Sequence, residues 1–78
     1  MMSWSDDALS IWQEELAEKL RRGRIQEVKA ESRGGVFHVV GSYTNSTGKE
    51  IWDSYAYFSK PQMAEDAVRT VKRVAAMN

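Results

Sequence analysis

The chain has no cysteine, a single histidine (His38) and no net charge over its 78 residues. The missing cysteines exclude disulfides and thiolate metal sites, and a single histidine excludes a histidine-rich zinc site. No cofactor is implied. Eleven basic residues balance eleven acidic ones, which argues against a strongly electrostatic ligand such as bulk nucleic acid or an anionic membrane surface. No stretch is long and apolar enough to span a bilayer. The chain starts Met1-Met2-Ser3-Trp4-Ser5-Asp6-Asp7, with acidic residues where a signal peptide would carry positive charge, so the expectation is a cytoplasmic protein with no membrane partner.

Below roughly 70–80 residues a hydrophobic core seldom supplies more than about 3–5 kcal/mol, so a single domain of this length needs support. With disulfides and metals excluded, oligomerisation is the remaining common route, and a homo-oligomer is expected.

Ser3 or Ser5 caps a predicted first helix with Asp6 and Asp7 in its first turn and Lys19, Arg21 and Arg22 in its last, before a stop at Gly23. Its apolar stripe is Ala8, Leu9, Trp12, Leu16 and Leu20, with Trp12, Leu16 and Leu20 expected in the core. From Ile25 to Ser32, Val28 and Ala30 alternate with Glu27, Lys29 and Glu31, the pattern of an edge strand, and Arg33-Gly34-Gly35 is a tight turn. Val36 to Thr44 is rich in β-branched and aromatic residues, which suits a central strand with Phe37, Val39 and Tyr43 on one face and Val36, His38 and Val40 on the other. A turn at Asn45-Ser46-Thr47-Gly48 leads to a third strand from about Glu50 to Phe58. Asn45-Ser46-Thr47 also matches a glycosylation triplet and is read as turn chemistry.

Ser59 with Gln62 forms a predicted capping box, with Pro61 in the first turn of a second helix. Ala64, Ala67, Val68, Val71, Val74 and Ala75 form its narrow apolar stripe, and Glu65, Arg69, Lys72 and Arg73 face water. The fold class is α+β: α-β-β-β-α, a three-stranded antiparallel meander with helices packed on it.

Catalytic patterns are absent. Gly41 to Gly48 followed by Lys49 is too long for a phosphate loop, has Glu50 where Ser or Thr is required, and precedes a strand rather than a helix. His38 has no cysteine and no elbow serine to activate, and is read as a packed or hydrogen-bonded residue. The carboxylate pairs Asp6 and Asp7, Glu14 and Glu15, and Glu65 and Asp66 are helix neighbours about 100° apart, which do not converge on a substrate. No enzyme is expected.

The third strand carries the binding signal. A half-buried strand alternates apolar with polar, yet Trp52, Tyr55, Tyr57 and Phe58 cannot all reach one core. The surplus marks a protein-binding surface at Trp52, Tyr55 and Tyr57, with Tyr43 and His38 from the central strand. The second reading is nucleic-acid binding, in which Arg69, Lys72 and Arg73 on the second helix act with Arg22 and Arg24 after the first.

From about Gly35 onward the chain resembles the YegP-like family of small bacterial proteins. The matching residues are Gly48, Ile51, Ser54, Tyr57, Ser59-Lys60 and, after a one-residue insertion, Glu65, Val68, Val71, Lys72 and Ala75. The resemblance implies a βββα unit that pairs with a second copy in tandem or as a dimer, and it implies no activity. The element order is also similar to double-stranded-RNA-binding domains, whose His-containing loop and Lys-Lys helix start are absent here, and to the sheet-in-groove DNA binders of integrase arm domains, which Glu50 and Asp53 oppose. The small size would suit a phage or mobile-element accessory protein that blocks a host factor.

Overall fold

The computed structural model of the protein describes residues 9–77. It has helix α1 (Ile11–Arg21), strands β1 (Glu27–Arg33), β2 (Val36–Thr44) and β3 (Glu50–Phe58), and helix α2 (Pro61–Ala76). The strands form one antiparallel sheet in chain order, β1-β2-β3, so the fold is the open-sheeted α-β-β-β-α arrangement read from the sequence.

Two helix starts differ from expectation. Ser10 rather than Ser3 or Ser5 caps α1: its carbonyl accepts from the Gln13 and Glu14 amides at 3.0 and 3.1 Å, and its own amide donates to Gln13 Oε1 at 3.0 Å. Ser3, Ser5, Asp6, Asp7 and Ala8 lie outside the described residues. The cap of α2 is Lys60, so the Ser59–Gln62 box does not form. Pro61 explains this, because its ring drives the preceding residue out of the helical region, and Lys60 sits at φ −124°, ψ 137°. Once Lys60 is the cap, Gln62 is one position too early to reach back to it.

The other boundaries follow local chemistry. At the end of α1 the Gly23 amide donates to the Leu20 carbonyl and the Arg24 amide to that of Lys19, with Gly23 at φ 77°, a Schellman cap that requires the left-handed conformation. Arg33 pairs with Val36 around Gly34 and Gly35, both at positive φ, which gives the two-residue turn whose twist matches the strands. Asn45 Oδ1 accepts from the amides of Thr47 and Lys49, both at 3.0 Å, and from Thr47 Oγ1 at 2.7 Å. This is the turn role read for the Asn45-Ser46-Thr47 triplet.

Both helices cover the same face of the sheet. Leu16 and Ala17 from α1, and Ala64, Ala67, Val68 and Val71 from α2, form one buried cluster with Ile25, Val28 and Val39. Of the three α1 residues expected in the core, Leu16 is fully buried, whereas Trp12 and Leu20 are half-buried on the rim and Trp12 leans on Phe58, ring centroids 6.4 Å apart. Ala17 completes the buried stripe.

A β-bulge decides the faces of β3. Val39 pairs with Ala56 but Val40 pairs with Ser54, so Tyr55 is the extra residue. Its ring lies on the helix-covered side, 3.2 Å from where a Cβ on Gly41 would stand, beside Ile25 and Leu16. Tyr55 and Phe58 therefore share the covered face. Trp52 and Tyr57, five residues apart, share the other.

Candidate functional site: the open face of the sheet

Among the described residues no helix packs on the second face. Alternation and register place Glu27, Lys29, Glu31 and Arg33 of β1 there, with Val36, His38, Val40, Ser42 and Thr44 of β2 and Glu50, Trp52, Ser54 and Tyr57 of β3. The surface has an aromatic end and a roofed middle.

At the aromatic end His38 stands opposite Tyr57, ring centroids 5.9 Å apart at 47°, and Tyr57 is 71% exposed. His38 Nδ1 is 2.7 Å from Ser54 Oγ, and that hydroxyl donates to the Ala56 carbonyl at 3.4 Å. Which of the two donates in the shorter contact is set by the imidazole tautomer. Ser54 was not singled out from the sequence, since its contact depends on cross-strand register; the signal available was its place two residues after Trp52 on the same strand.

In the middle, the Lys29 ammonium lies 4.3 Å from the centre of the Trp52 ring. Lys29 belongs to β1 and Trp52 to β3, so the lysine chain crosses β2. It roofs Val40, which is fully buried, and Ser42, which is 1% exposed. The Trp52 indole donates to Glu50 at 3.3 Å, fixing the outer end of the bridge. Among the described residues Ser42 Oγ beneath it has no hydrogen-bond partner. An unsatisfied buried hydroxyl costs roughly 1–3 kcal/mol, so Ser42→Ala is expected to stabilise the protein by about 1 kcal/mol in urea unfolding; an unchanged or lower midpoint would show that the hydroxyl is satisfied in solution.

Along β1, Glu31 sits between Arg33 (2.6 Å) and Lys29 (4.0 Å). The Arg33 guanidinium, hydrogen-bonded to Glu31, holds its carboxyl below the ordinary range.

The five residues assigned to partner binding thus separate. Trp52, Tyr57 and His38 lie together on the open face, but Tyr43 and Tyr55 pack against the core cluster on the covered side and do not contribute to it. They line a groove of about 350 Å³ with Lys19, Arg24, Ile25 and Asp53. Burial, aided by the Asp53 carboxylate, raises the Tyr55 phenol above its ordinary pKa, and the Lys19 ammonium lies 5.5 Å from the centre of its ring. Asp53, read as opposing nucleic acid on the exposed sheet, is on this covered side too.

The basic residues separate likewise. Arg22 and Arg24 line a groove of about 470 Å³ that also holds Glu14, Glu15 and Glu18. Both Arg21 and Arg22 pair with Glu18. On α2, Arg69 pairs with Asp66 at 2.7 Å, and Lys72 and Arg73 are exposed. Among the described residues, no group of three or more metal-ligating side chains converges, and no helix is long and apolar enough to cross a membrane.

Compared with known proteins, the chain matches no family model, no curated protein and no solved structure. The functional reading therefore rests on the open face itself.

Proposed function

We propose that this is a non-enzymatic protein-binding module whose contact surface is the open sheet face around Trp52, His38 and Tyr57. The observation that carries it is the placement of both helices on one face, which leaves two large aromatics and an imidazole on the other with Tyr57 71% exposed. Tyr and Trp dominate interface hot spots because each gives a large contact area at little entropic cost while its polar end finds a partner. Mixed charge around them, Glu27, Glu31 and Glu50 against Lys29 and Arg33, suits a protein surface better than a polyanion.

The alternative, nucleic acid held by Arg69, Lys72, Arg73, Arg22 and Arg24, has less support, because Arg22 and Arg69 each have an acidic partner and Arg24 lies in a groove lined by glutamates. The YegP-like resemblance is compatible with a binding role and adds no activity.

Affinity capture with the parent and a Trp52→Ala/Tyr57→Ala variant tests the reading. Truncating a hot-spot residue costs about 2 kcal/mol or more, so the double variant should retain less than about a tenth of the captured partner while keeping the parent's circular dichroism spectrum. Equal capture by both proteins would move the binding surface elsewhere.

A further inference from the structure

We infer that the groove between the C-terminal end of α1 and the helix-covered corner of the sheet is a second binding site, which takes a small aromatic anion: a flat ring carrying one phosphate or carboxylate group. The inference goes beyond the open-face reading, because this groove lies on the other face of the sheet and takes a small molecule rather than a protein.

The groove holds about 350 Å³, inside the range of roughly 300–1,000 Å³ that small-molecule sites occupy, and its lining divides by chemistry. Ile25, 3% exposed, and the Tyr55 ring give it an apolar floor. A Cβ at position 41 would stand 3.2 Å from both, so the glycine there leaves the space that the Tyr55 ring occupies. Lys19 and Arg24 bring two positive charges from the end of α1. Among the described residues neither forms an ion pair, whereas the neighbouring Arg21 and Arg22 both pair with Glu18. Tyr43 and Asp53, from β2 and β3, complete the lining.

Each part of that lining selects a part of the ligand. A guanidinium fork and an ammonium match the oxygens of a phosphate or carboxylate, and bonds between ionised partners are roughly twice as strong as neutral ones. Burial raises the Tyr55 phenol above its ordinary pKa, so at neutral pH it keeps its proton and adds a donor rather than a second negative charge beside Asp53. The ring requirement comes from Tyr43. Trp12 is paired with Phe58, His38 with Tyr57, and Tyr55 with the Lys19 ammonium, but among the described residues the half-buried Tyr43 ring has no such partner and is available to stack. The Asp53 carboxylate accepts from a hydroxyl or amino substituent on the ligand ring and repels a second anionic group. Lys19 and Arg24 also border the larger groove that holds Glu14, Glu15 and Glu18. A chain of phosphates running past the two cations would meet those three carboxylates, whereas a single anionic group does not.

Amide chemical-shift titrations of the full chain at physiological salt test this with four probes: adenosine monophosphate, para-hydroxybenzoate, adenosine and inorganic phosphate. At least one of the two ring anions should shift the amides of Ile25, Tyr43 and Tyr55 with a Kd of about 1 mM or tighter, and adenosine and inorganic phosphate should bind at least about tenfold more weakly. The tighter of the two ring anions identifies the anionic group as phosphate or carboxylate. Lys19→Gln and Arg24→Gln change side chains outside the buried cluster, so both proteins should keep the parent spectrum away from the groove while binding about tenfold more weakly. Tyr43→Leu, which keeps apolar bulk and removes the ring, should weaken binding about threefold or more. Trp52→Ala/Tyr57→Ala should bind like the parent, since those residues lie on the other face. No shift with either ring anion up to about 10 mM, inorganic phosphate binding as tightly as the better ring anion, or a Lys19→Gln/Arg24→Gln protein binding like the parent would each overturn the inference.

Discussion

Leu16→Ala is expected to leave the protein largely unfolded at room temperature. Leu16 is the one α1 side chain that is fully buried and large, and it stands against the sheet where Gly41 leaves room: a Cβ on Gly41 would lie 3.3 Å from Leu16 Cδ1. Removing a buried leucine costs about 2–5 kcal/mol, the lost transfer energy plus the cavity left behind, and the cavity here is walled by Ile25 and Tyr55. A domain of this size has roughly 3–5 kcal/mol to lose. Trp12→Ala should cost less, about 1–3 kcal/mol, because Trp12 is half-buried and packs on Phe58 at the rim. Urea unfolding followed by circular dichroism ranks the two; a Trp12 variant less stable than the Leu16 variant would mean that the rim, rather than the Leu16 site, carries α1.

The comparison between these two residues shows what the sequence could and could not convey. Helical periodicity identifies Trp12, Leu16 and Leu20 as one stripe, but it does not say how far each lies from the stripe's centre line, and only Leu16 faces the sheet squarely. Turn chemistry was fully legible: Gly23, Gly34-Gly35 and Asn45 each act through local backbone geometry, which adjacent residues determine. The faces of β3 were not. Strict alternation would put Trp52, Ala56 and Phe58 on one side with Tyr55 and Tyr57 on the other, whereas the bulge at Tyr55 regroups them as Tyr55 with Phe58 and Trp52 with Tyr57. The cause is non-local, because an extra residue in β3 exists only relative to the pairing of Val39 and Val40 on β2. The failure of alternation was visible in the residues; which residue would be expelled from the ladder was not. The same limit hid Ser54 beneath His38 and Lys29 over Trp52, contacts between residues 16 and 23 positions apart. It also kept Tyr43 and Tyr55 among the binding residues, although both lean on the core.

Adjacent positions on α2 should respond to the same substitution in opposite ways. Val71 is fully buried between the sheet and α1, within the cluster that holds Leu16, Val28 and Val39, and Lys72 beside it is exposed. Val71→Asp puts a carboxyl where no described side chain is available to pair with it. The group must stay ionised at a desolvation cost or take up a proton, which for a carboxyl that titrates at about 3.9 when free costs about 4 kcal/mol at pH 7, and the lost burial of the valine side chain adds about 1.5–3 kcal/mol. That exceeds the roughly 3–5 kcal/mol available to so small a core, so the Val71→Asp protein should show no cooperative unfolding transition. Lys72→Asp is turned about 100° around the helix into water, and it changes only surface charge in the second half of α2; its cost should stay within about 1 kcal/mol. Thermal melts of the two variants against the parent check the contrast. A cooperative melt for Val71→Asp within a few degrees of the parent would mean that α2 does not lie on the sheet through this stripe, and the two-layer arrangement that leaves Trp52, His38 and Tyr57 uncovered would fall with it.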